Sequence, residues 1–206
     1  MLKDLAPLTP SGFFELVGAI PDLDKKKKRV AFLPDTSGLL GEEKFADIAL
    51  YWTDEGIQVI LRAQKSIDEV LFPAFSEGDS LELFFDTRDL KTASAITRFC
   101  HHFVFLPEDV EGIQAQEITR FRSEDAHKYA DPALFVIETE VKRSRYEMTI
   151  EIPKQALYGY DPREFQRLGF TYRINRPKGD PQHFAASSHF YAIERHPELW
   201  ASFEFS

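Results

Sequence analysis

One acidic residue of this sequence lies inside an apolar segment, where burial of its charge is energetically unfavourable. Glu82 lies inside the run Asp79–Asp86, where a Gly-Asp turn signal is followed by residues that are typical of a strand and are mostly apolar. A carboxylate buried in such a strand is unfavourable unless a partner or a ligand meets it. Glu82 is therefore the first candidate for a ligand contact, and an ion pair across the sheet with an arginine, such as Arg98 or Arg173, explains it equally well.

A later apolar run carries adjacent histidines, His101 and His102. Neighbouring side chains of a strand point to opposite faces, so these two cannot ligate one metal without a bulge. The later histidines are dispersed and have no cysteine near them, which is a weak zinc signal. The single cysteine, Cys100, excludes an intrachain disulfide and is predicted to be a buried, inert thiol. No metal site and no nucleophile are predicted.

The composition indicates a globular chain with a large apolar core. Of the 206 residues, 43% are hydrophobic and 19 are phenylalanine, which suits the interior between two packed sheets. The net charge of −9 argues against a nucleic-acid partner. No apolar run is long enough to span a membrane, and no secretion signal is seen at the N-terminus. A cytoplasmic location is expected, unless another route exports the protein.

Turn signals and alternating apolar residues predict many short strands and almost no helix. Residues 1–28 are interpreted as an irregular lead-in with one short helix over 11–20, and the basic run at 25–29 as a solvated loop. The pattern predicts an all-β fold in one domain, 29–206: a single jelly-roll-like β-sandwich of about ten antiparallel strands. The candidate strands are 29–33, 46–53, 56–63, 79–86, 97–106, 112–122, 133–142, 145–152, 167–175, 184–193 and 199–205.

Four segments share a pattern with one known family. They are a hairpin with a Trp-Thr-Asp turn at 49–59, the strand Gly-Asp-Ser-Leu-Glu-Leu-Phe-Phe-Asp at 78–86, an aromatic-x-x-x-Ile-x-Ile-Pro strand at 146–153, and a closing strand at 199–205. In these segments the chain resembles the family 9 carbohydrate-binding modules and the wider DOMON-like group of β-sandwiches. The resemblance covers about 30–206. It implies a non-catalytic sugar-binding module, and such modules often carry a structural calcium ion.

The resemblance also implies where a sugar would lie. In the family the sugar occupies a slot between two aromatic rings, one of them just before the strand that corresponds to 78–86. Here that region contains Phe72 and Phe75 and no tryptophan, so these two become the candidate platform. A polar ligand contact of the family falls near His102. Trp52 and Trp200 lie beside apolar strand residues and are predicted to pack in the core.

The resulting hypothesis is a carbohydrate or similar polyhydroxylated ligand bound on one face of the sandwich. A carboxylate accepts hydrogen bonds from two neighbouring hydroxyls more strongly than a neutral acceptor does, which suits Glu82. The predicted ligand-binding residues are Glu82, His102, Phe72, Phe75, Arg98, Arg173, Asn175 and His183.

Other functions stay open. The main alternative is a sandwich of the same fold that binds no sugar and serves as an interaction or scaffold module for a protein partner. A haem-binding sandwich is disfavoured because it needs a Met and a His ligand, and Met148 is the single internal methionine. A glycoside hydrolase is disfavoured because Glu82 with Asp86, and Glu138 with Glu140, lie along one strand and not across a cleft.

Overall fold

The computed structural model describes residues 15–25, 29–122 and 124–206. Within them the chain forms one short α-helix, α1 (Ser37–Leu40), and eleven strands. The strands are β1 (Val17–Ile20), β2 (Ala46–Thr53), β3 (Gly56–Ala63), β4 (Ser80–Asp86), β5 (Cys100–Val110), β6 (Ile113–Glu117), β7 (Val136–Lys142), β8 (Arg145–Pro153), β9 (Arg167–Asn175), β10 (Gln182–His183) and β11 (Ala201–Phe205). Single 3-10 turns occur at Leu23–Lys25, Phe75–Glu77, Pro132–Leu134, Lys154–Ala156, Ile193–Arg195 and Pro197–Leu199.

The strands pair into two sheets. The larger sheet has the order β1-β11-β9-β4-β5-β6, with β10 also paired to β9, and the smaller sheet has the order β2-β3-β8-β7. Neighbouring strands are antiparallel except β1 and β11, which are parallel. The predicted all-β sandwich is confirmed. Among the described residues, no helix has the length and apolar character needed to cross a membrane.

The main core lies between the two sheets. Leu81, Leu83 and Phe85 of β4 belong to one buried cluster with residues of the smaller sheet such as Val59 and Ile150. Because side chains alternate along a strand, the even-numbered residues of β4 point to the other face of the larger sheet. We call this the outer face, and it carries Glu82.

Part of the outer face is covered by the segment 184–200. This segment forms a second apolar cluster with the sheet, made of Phe84, Ile96, Cys100, Ala186, Ile193 and Trp200. Trp200 is buried and donates from Nε1 to the Ile193 carbonyl at 2.9 Å, as core packing predicts. Cys100 is buried, as predicted, and burial raises the pKa of its thiol to about 12.

Three sequence predictions differ from the observed elements. The predicted helix over 11–20 is wrong in its described part, since Val17–Ile20 form β1 along the edge of β11, while residues 11–14 lie outside the described residues. No strand forms at 29–33. In the predicted strand 184–193 the chain leaves the sheet after His183, with Ala185 at a φ of +66°, and packs back onto Phe84. Ala186 and Ile193 belong to this second cluster, whereas Phe184 stays in the core between the sheets.

Candidate functional site

A row of polar side chains crosses the outer face. The sheet register places Glu82 opposite Arg173 on β9, and Arg173 opposite His183 on β10. The pairs two positions along the register, Ser80 with Asn175 and Phe84 with His102, bring Asn175 and His102 to the same face. Paired residues of antiparallel strands share a face, so the structure brings five of the eight predicted ligand-binding residues to one surface.

Glu82 is fully buried and makes four hydrogen bonds. Arg173 donates from Nε to Oε1 at 2.6 Å and from Nη2 to Oε2 at 2.7 Å. Asn175 donates to Oε1 at 2.7 Å, and His102 Nε2 lies 2.7 Å from Oε2. A carboxylate has about four acceptor positions, so those of Glu82 are all used. We call these four residues the Glu82 cluster.

The geometry of the Glu82 cluster corresponds to the ion pair across the sheet, one of the two interpretations that the sequence left open. In this conformation Glu82 orients Arg173 and His102 and has no surface with which to contact a ligand. Arg173 keeps 17% of its side chain exposed and His102 keeps 9%. The exposed polar atoms of the cluster are therefore cationic or imidazole groups held in place by a buried anion.

The electrostatics of the cluster favour the ionised pair. Burial by itself raises the pKa of Glu82, but the hydrogen bonds from His102 and Arg173 and the charge of Arg173 outweigh it and lower the pKa to about 2. Burial lowers the pKa of Arg173, but the hydrogen bond and charge of Glu82 outweigh this and raise it. At neutral pH the cluster therefore contains a carboxylate and a guanidinium.

We expect Glu82 to make stability depend on pH in the acid range. Its folded pKa of about 2 lies below its ordinary value of 4.5, so its stabilisation is complete above pH 4.5 and is lost as the pH falls towards 2. The difference corresponds to on the order of 3 kcal/mol. The measurement is the free energy of unfolding in urea between pH 7 and pH 2.5, for the native protein and Glu82→Gln.

The Glu82→Gln variant should lose less stability than the native protein over this interval. Some loss should persist in the variant, because Glu117 also has a pKa lowered to about 2. Equal losses in the two proteins would show that the pKa of Glu82 is not depressed.

An irregular part of the segment 184–200 borders the Glu82 cluster. Ser188 Oγ lies 2.7 Å from His183 Nε2, and the charge of Glu194 acts on Arg173. The stretch between these two contacts includes Phe190, which is 71% exposed, and Tyr191, which is 39% exposed. The aromatic pair is not among the predicted ligand-binding residues, because both residues fall in the predicted strand 184–193. The available signal was an aromatic pair next to a Ser-Ser-His run.

His183 is buried between a carboxylate and a hydroxyl. Glu42 Oε1 lies 2.7 Å from Nδ1, and Ser188 Oγ lies 2.7 Å from Nε2. Ser188, His183 and Glu42 thus follow the order of the nucleophile, the base and the carboxylate in a serine hydrolase triad. The Ser188 N–H, however, donates to His183 Nε2 at 3.2 Å and so does not point towards a substrate as an oxyanion donor does. The contacts anchor the segment 184–200 to β10.

The predicted aromatic platform lies in the loop before β4. Phe72 and Phe75 are both half-buried. The Phe75 carbonyl accepts a hydrogen bond from Ser80 Oγ at 2.7 Å, and Ser80 Oγ in turn accepts one from Asn175 at 2.9 Å. The backbone at Phe75 is thus joined to the Glu82 cluster through one hydroxyl.

A second buried polar group lies on the inner side of β5. His101 Nδ1 is 3.1 Å and His127 Nε2 is 2.8 Å from Glu117 Oε1. His101 and its chain neighbour do point to opposite faces, as predicted. Arg98, the remaining predicted ligand-binding residue, lies at this group, because its guanidinium pairs with Asp125 and its carbonyl contacts His127 Nδ1 at 2.6 Å.

Calcium does not suit this second group. Calcium takes six to eight oxygen ligands. His101, Glu117 and His127 are the one set of three His, Cys, Asp or Glu side chains whose ligand atoms converge in the described part of the chain. Two imidazoles and one carboxylate are a poor ligand set for calcium, so the structural calcium implied by the resemblance stays a prediction.

Comparison with known proteins places the fold. No family model matches the chain, and no curated protein matches it. A carbohydrate-binding module of family 9 from Caldicellulosiruptor kristjanssonii, in complex with cellotriose, superposes with a TM-score of 0.62 at 13% identity over 92% of this chain and 93% of that one. A family 9 module from the same organism in complex with glucose gives 0.61 at 12% identity, over 94% and 96%. At these identities the similarity shows a shared β-sandwich fold. Similarity to the DOMON-like group stays a prediction.

Proposed function

We propose that the protein binds a carbohydrate, or a similar polyhydroxylated ligand, and does not cleave it. The observation that carries the proposal is the Glu82 cluster, in which a buried carboxylate holds the partly exposed Arg173 on the outer face. The exposed rings of Phe190 and Tyr191 belong to the segment that covers part of this face. The fold supports it, since structures of the same fold hold cellotriose and glucose.

The proposed site offers the two kinds of contact that a sugar needs. A pyranose ring presents C–H groups on its faces, and an exposed aromatic ring supplies a large, rigid apolar surface for them. Its hydroxyl oxygens accept hydrogen bonds, and charged donors such as Arg173 make the stronger ones. In this proposal Glu82 is a positioning residue, because its hydrogen bonds fix the guanidinium plane.

The protonation state of Glu82 supports binding without cleavage. Glycoside hydrolysis needs a carboxylic acid that is protonated near neutral pH, which requires a raised pKa, and a second carboxylate on the other side of the bond. The pKa of Glu82 is instead lowered to about 2, and its oxygens are all hydrogen-bonded. Glu82 therefore lacks the properties of a general acid.

We expect Phe190→Ala to weaken sugar binding about tenfold, because an aromatic contact contributes on the order of 1 kcal/mol beyond its buried area. The measurement is calorimetric titration with cellotriose and glucose, followed by a panel of neutral soluble glycans. Leu39→Ala is a matched control, because Leu39 is also highly exposed but lies in α1.

Equal loss in the two variants would place the sugar elsewhere. If the native protein binds no glycan of the panel, the proposal fails and the alternative, an interaction module of the same fold, replaces it. The exposed aromatic pair would then be the first surface to test for a protein partner.

A further inference from the structure

Three side chains that could ligate a metal converge at the second buried group. His101 Nδ1 and His127 Nε2 both approach Glu117 Oε1, at 3.1 and 2.8 Å, and ligand atoms of all three residues lie within 4.8 Å of one another. The side chains of His101 and Glu117 are fully buried, and that of His127 is 1% exposed. Burying these three groups together is unfavourable unless their charges and lone pairs are compensated.

The outward nitrogens of both imidazoles face backbone carbonyls. His127 Nδ1 lies 2.6 Å from the Arg98 carbonyl, and His101 Nε2 lies 3.4 Å from the Tyr158 carbonyl. Histidines that ligate metals almost always donate the other ring N–H to a carbonyl or carboxylate, which fixes the tautomer and the ring orientation. When the outward nitrogens carry the hydrogens, each inward nitrogen has a lone pair directed at Glu117 Oε1.

His127 Nε2 and Glu117 Oε1 lie 2.8 Å apart. If both atoms present lone pairs they repel each other, unless a proton or a cation lies between them. The Arg98 carbonyl at 2.6 Å requires the hydrogen on His127 Nδ1, and a neutral imidazole has only one N–H. His127 Nε2 and Glu117 Oε1 must therefore share either a second proton or a metal ion. The ring centroids of His101 and His127 are 4.3 Å apart, so two charged imidazoles would repel each other strongly at this buried position. One divalent ion satisfies both inward nitrogens at once.

The carboxylate of Glu117 is also oriented by neighbours other than the two histidines. Its Oε2 accepts the Ala130 N–H at 2.7 Å, and its Oε1 accepts the Thr119 hydroxyl at 2.8 Å. A metal bound at Oε1 would leave the hydrogen bond to Oε2 in place.

Aromatic rings surround the two imidazoles. Phe103 stacks on His101 with ring centroids 5.4 Å apart, and Tyr158 stacks on His127 at 5.6 Å. Phe121 meets His127 edge-on at 4.8 Å. These rings limit rotation of the imidazoles and exclude water, which strengthens electrostatic attraction to a cation.

We propose that His101, Glu117 and His127 form a binding site for a divalent transition-metal ion, for which Zn²⁺ is the best probe. Two imidazole nitrogens and one carboxylate oxygen are a ligand set that zinc and similar ions accept. The ion would join β5, β6 and the stretch 124–131 that carries His127, so that its binding stabilises the folded chain. The proposal uses no residue of the sugar site, so either proposal can fail without the other.

The test is metal binding by the intact protein. After chelator treatment and dialysis, calorimetric titration with ZnSO4 should give one tight site per chain, and Zn²⁺ should raise Tm by several degrees while CaCl2 leaves it unchanged. His127→Gln should weaken zinc binding by at least ~100-fold, because it removes a ligand nitrogen from the site. His196→Gln is the control, because His196 is a partly exposed histidine paired with Glu198.

A second measurement covers the case in which His127→Gln does not fold. In ¹⁵N-histidine NMR of the native protein, Zn²⁺ should shift one Nδ1 and one Nε2 resonance from two different rings. Histidine spectra that are unchanged by Zn²⁺ would overturn the proposal. Equal zinc affinity in the native protein, His127→Gln and His196→Gln would overturn it as well, since it would show only adventitious surface binding.

Discussion

Replacement of Arg173 by methionine is expected to destabilise the protein by about 3–5 kcal/mol, the usual result of removing one partner from a buried ion pair. Glu82 has no solvent exposure, so it would keep only the hydrogen bonds of His102 and Asn175 for its charge. Methionine preserves much of the arginine stem, so the loss reports mainly on the missing guanidinium. The measurement is urea unfolding at pH 7.

The converse change, Glu82→Met, should be less damaging. Arg173 keeps 17% of its side chain exposed, so its charge retains contact with water when the carboxylate is removed. The double variant should be more stable than the sum of the single losses predicts, because neither charge is then left unpaired. The buried-pair geometry would be contradicted if the losses of stability of the two single variants simply added up in the double variant. It would also be contradicted if Glu82→Met lost more stability than Arg173→Met.

The second large effect is expected from Phe103→Ala, at about 3–5 kcal/mol. Phe103 is fully buried in the core between the sheets and contacts the rings of Phe85, Phe105 and Phe135, with centroids 6.2, 6.1 and 5.3 Å away. Alanine would remove the buried apolar surface of the ring and leave a cavity. The three neighbouring rings are tightly packed and cannot move far enough to fill it. Urea unfolding in the presence of a chelator measures the loss without any contribution from metal at the neighbouring His101.

Phe190→Ala is the control for this second prediction. Phe190 is 71% exposed, and its replacement should change the free energy of unfolding by no more than about 0.5 kcal/mol. A similarly small effect of Phe103→Ala would show that the core is not packed around this ring. The same control shows that weaker sugar binding by Phe190→Ala is not caused by unfolding.

Local sequence pattern was sufficient for much of the sheet structure. The strands predicted at 46–53, 56–63 and 167–175 have the observed bounds, because alternation of apolar side chains and the turn residues at their ends are both local signals. The local pattern predicted the wrong structure in two places, where pairing with the edge of a sheet or packing over a sheet decided the conformation. Val17–Ile20 became a strand because β11 offered an unpaired edge, and 184–193 left the sheet to cover Phe84.

By itself, the sequence determined that Glu82 would lie in a strand and would need a partner, because the cost of burying a carboxylate does not depend on the rest of the fold. Only the tertiary structure decided that the partner is Arg173, 91 positions away in the chain, and not Arg98. The tertiary structure also decided that His101 contacts Glu117 and His127. Local alternation predicts only that His101 and His102 point to opposite faces. Such contacts follow from strand order and register, which depend on the packing of the whole chain and not on local pattern.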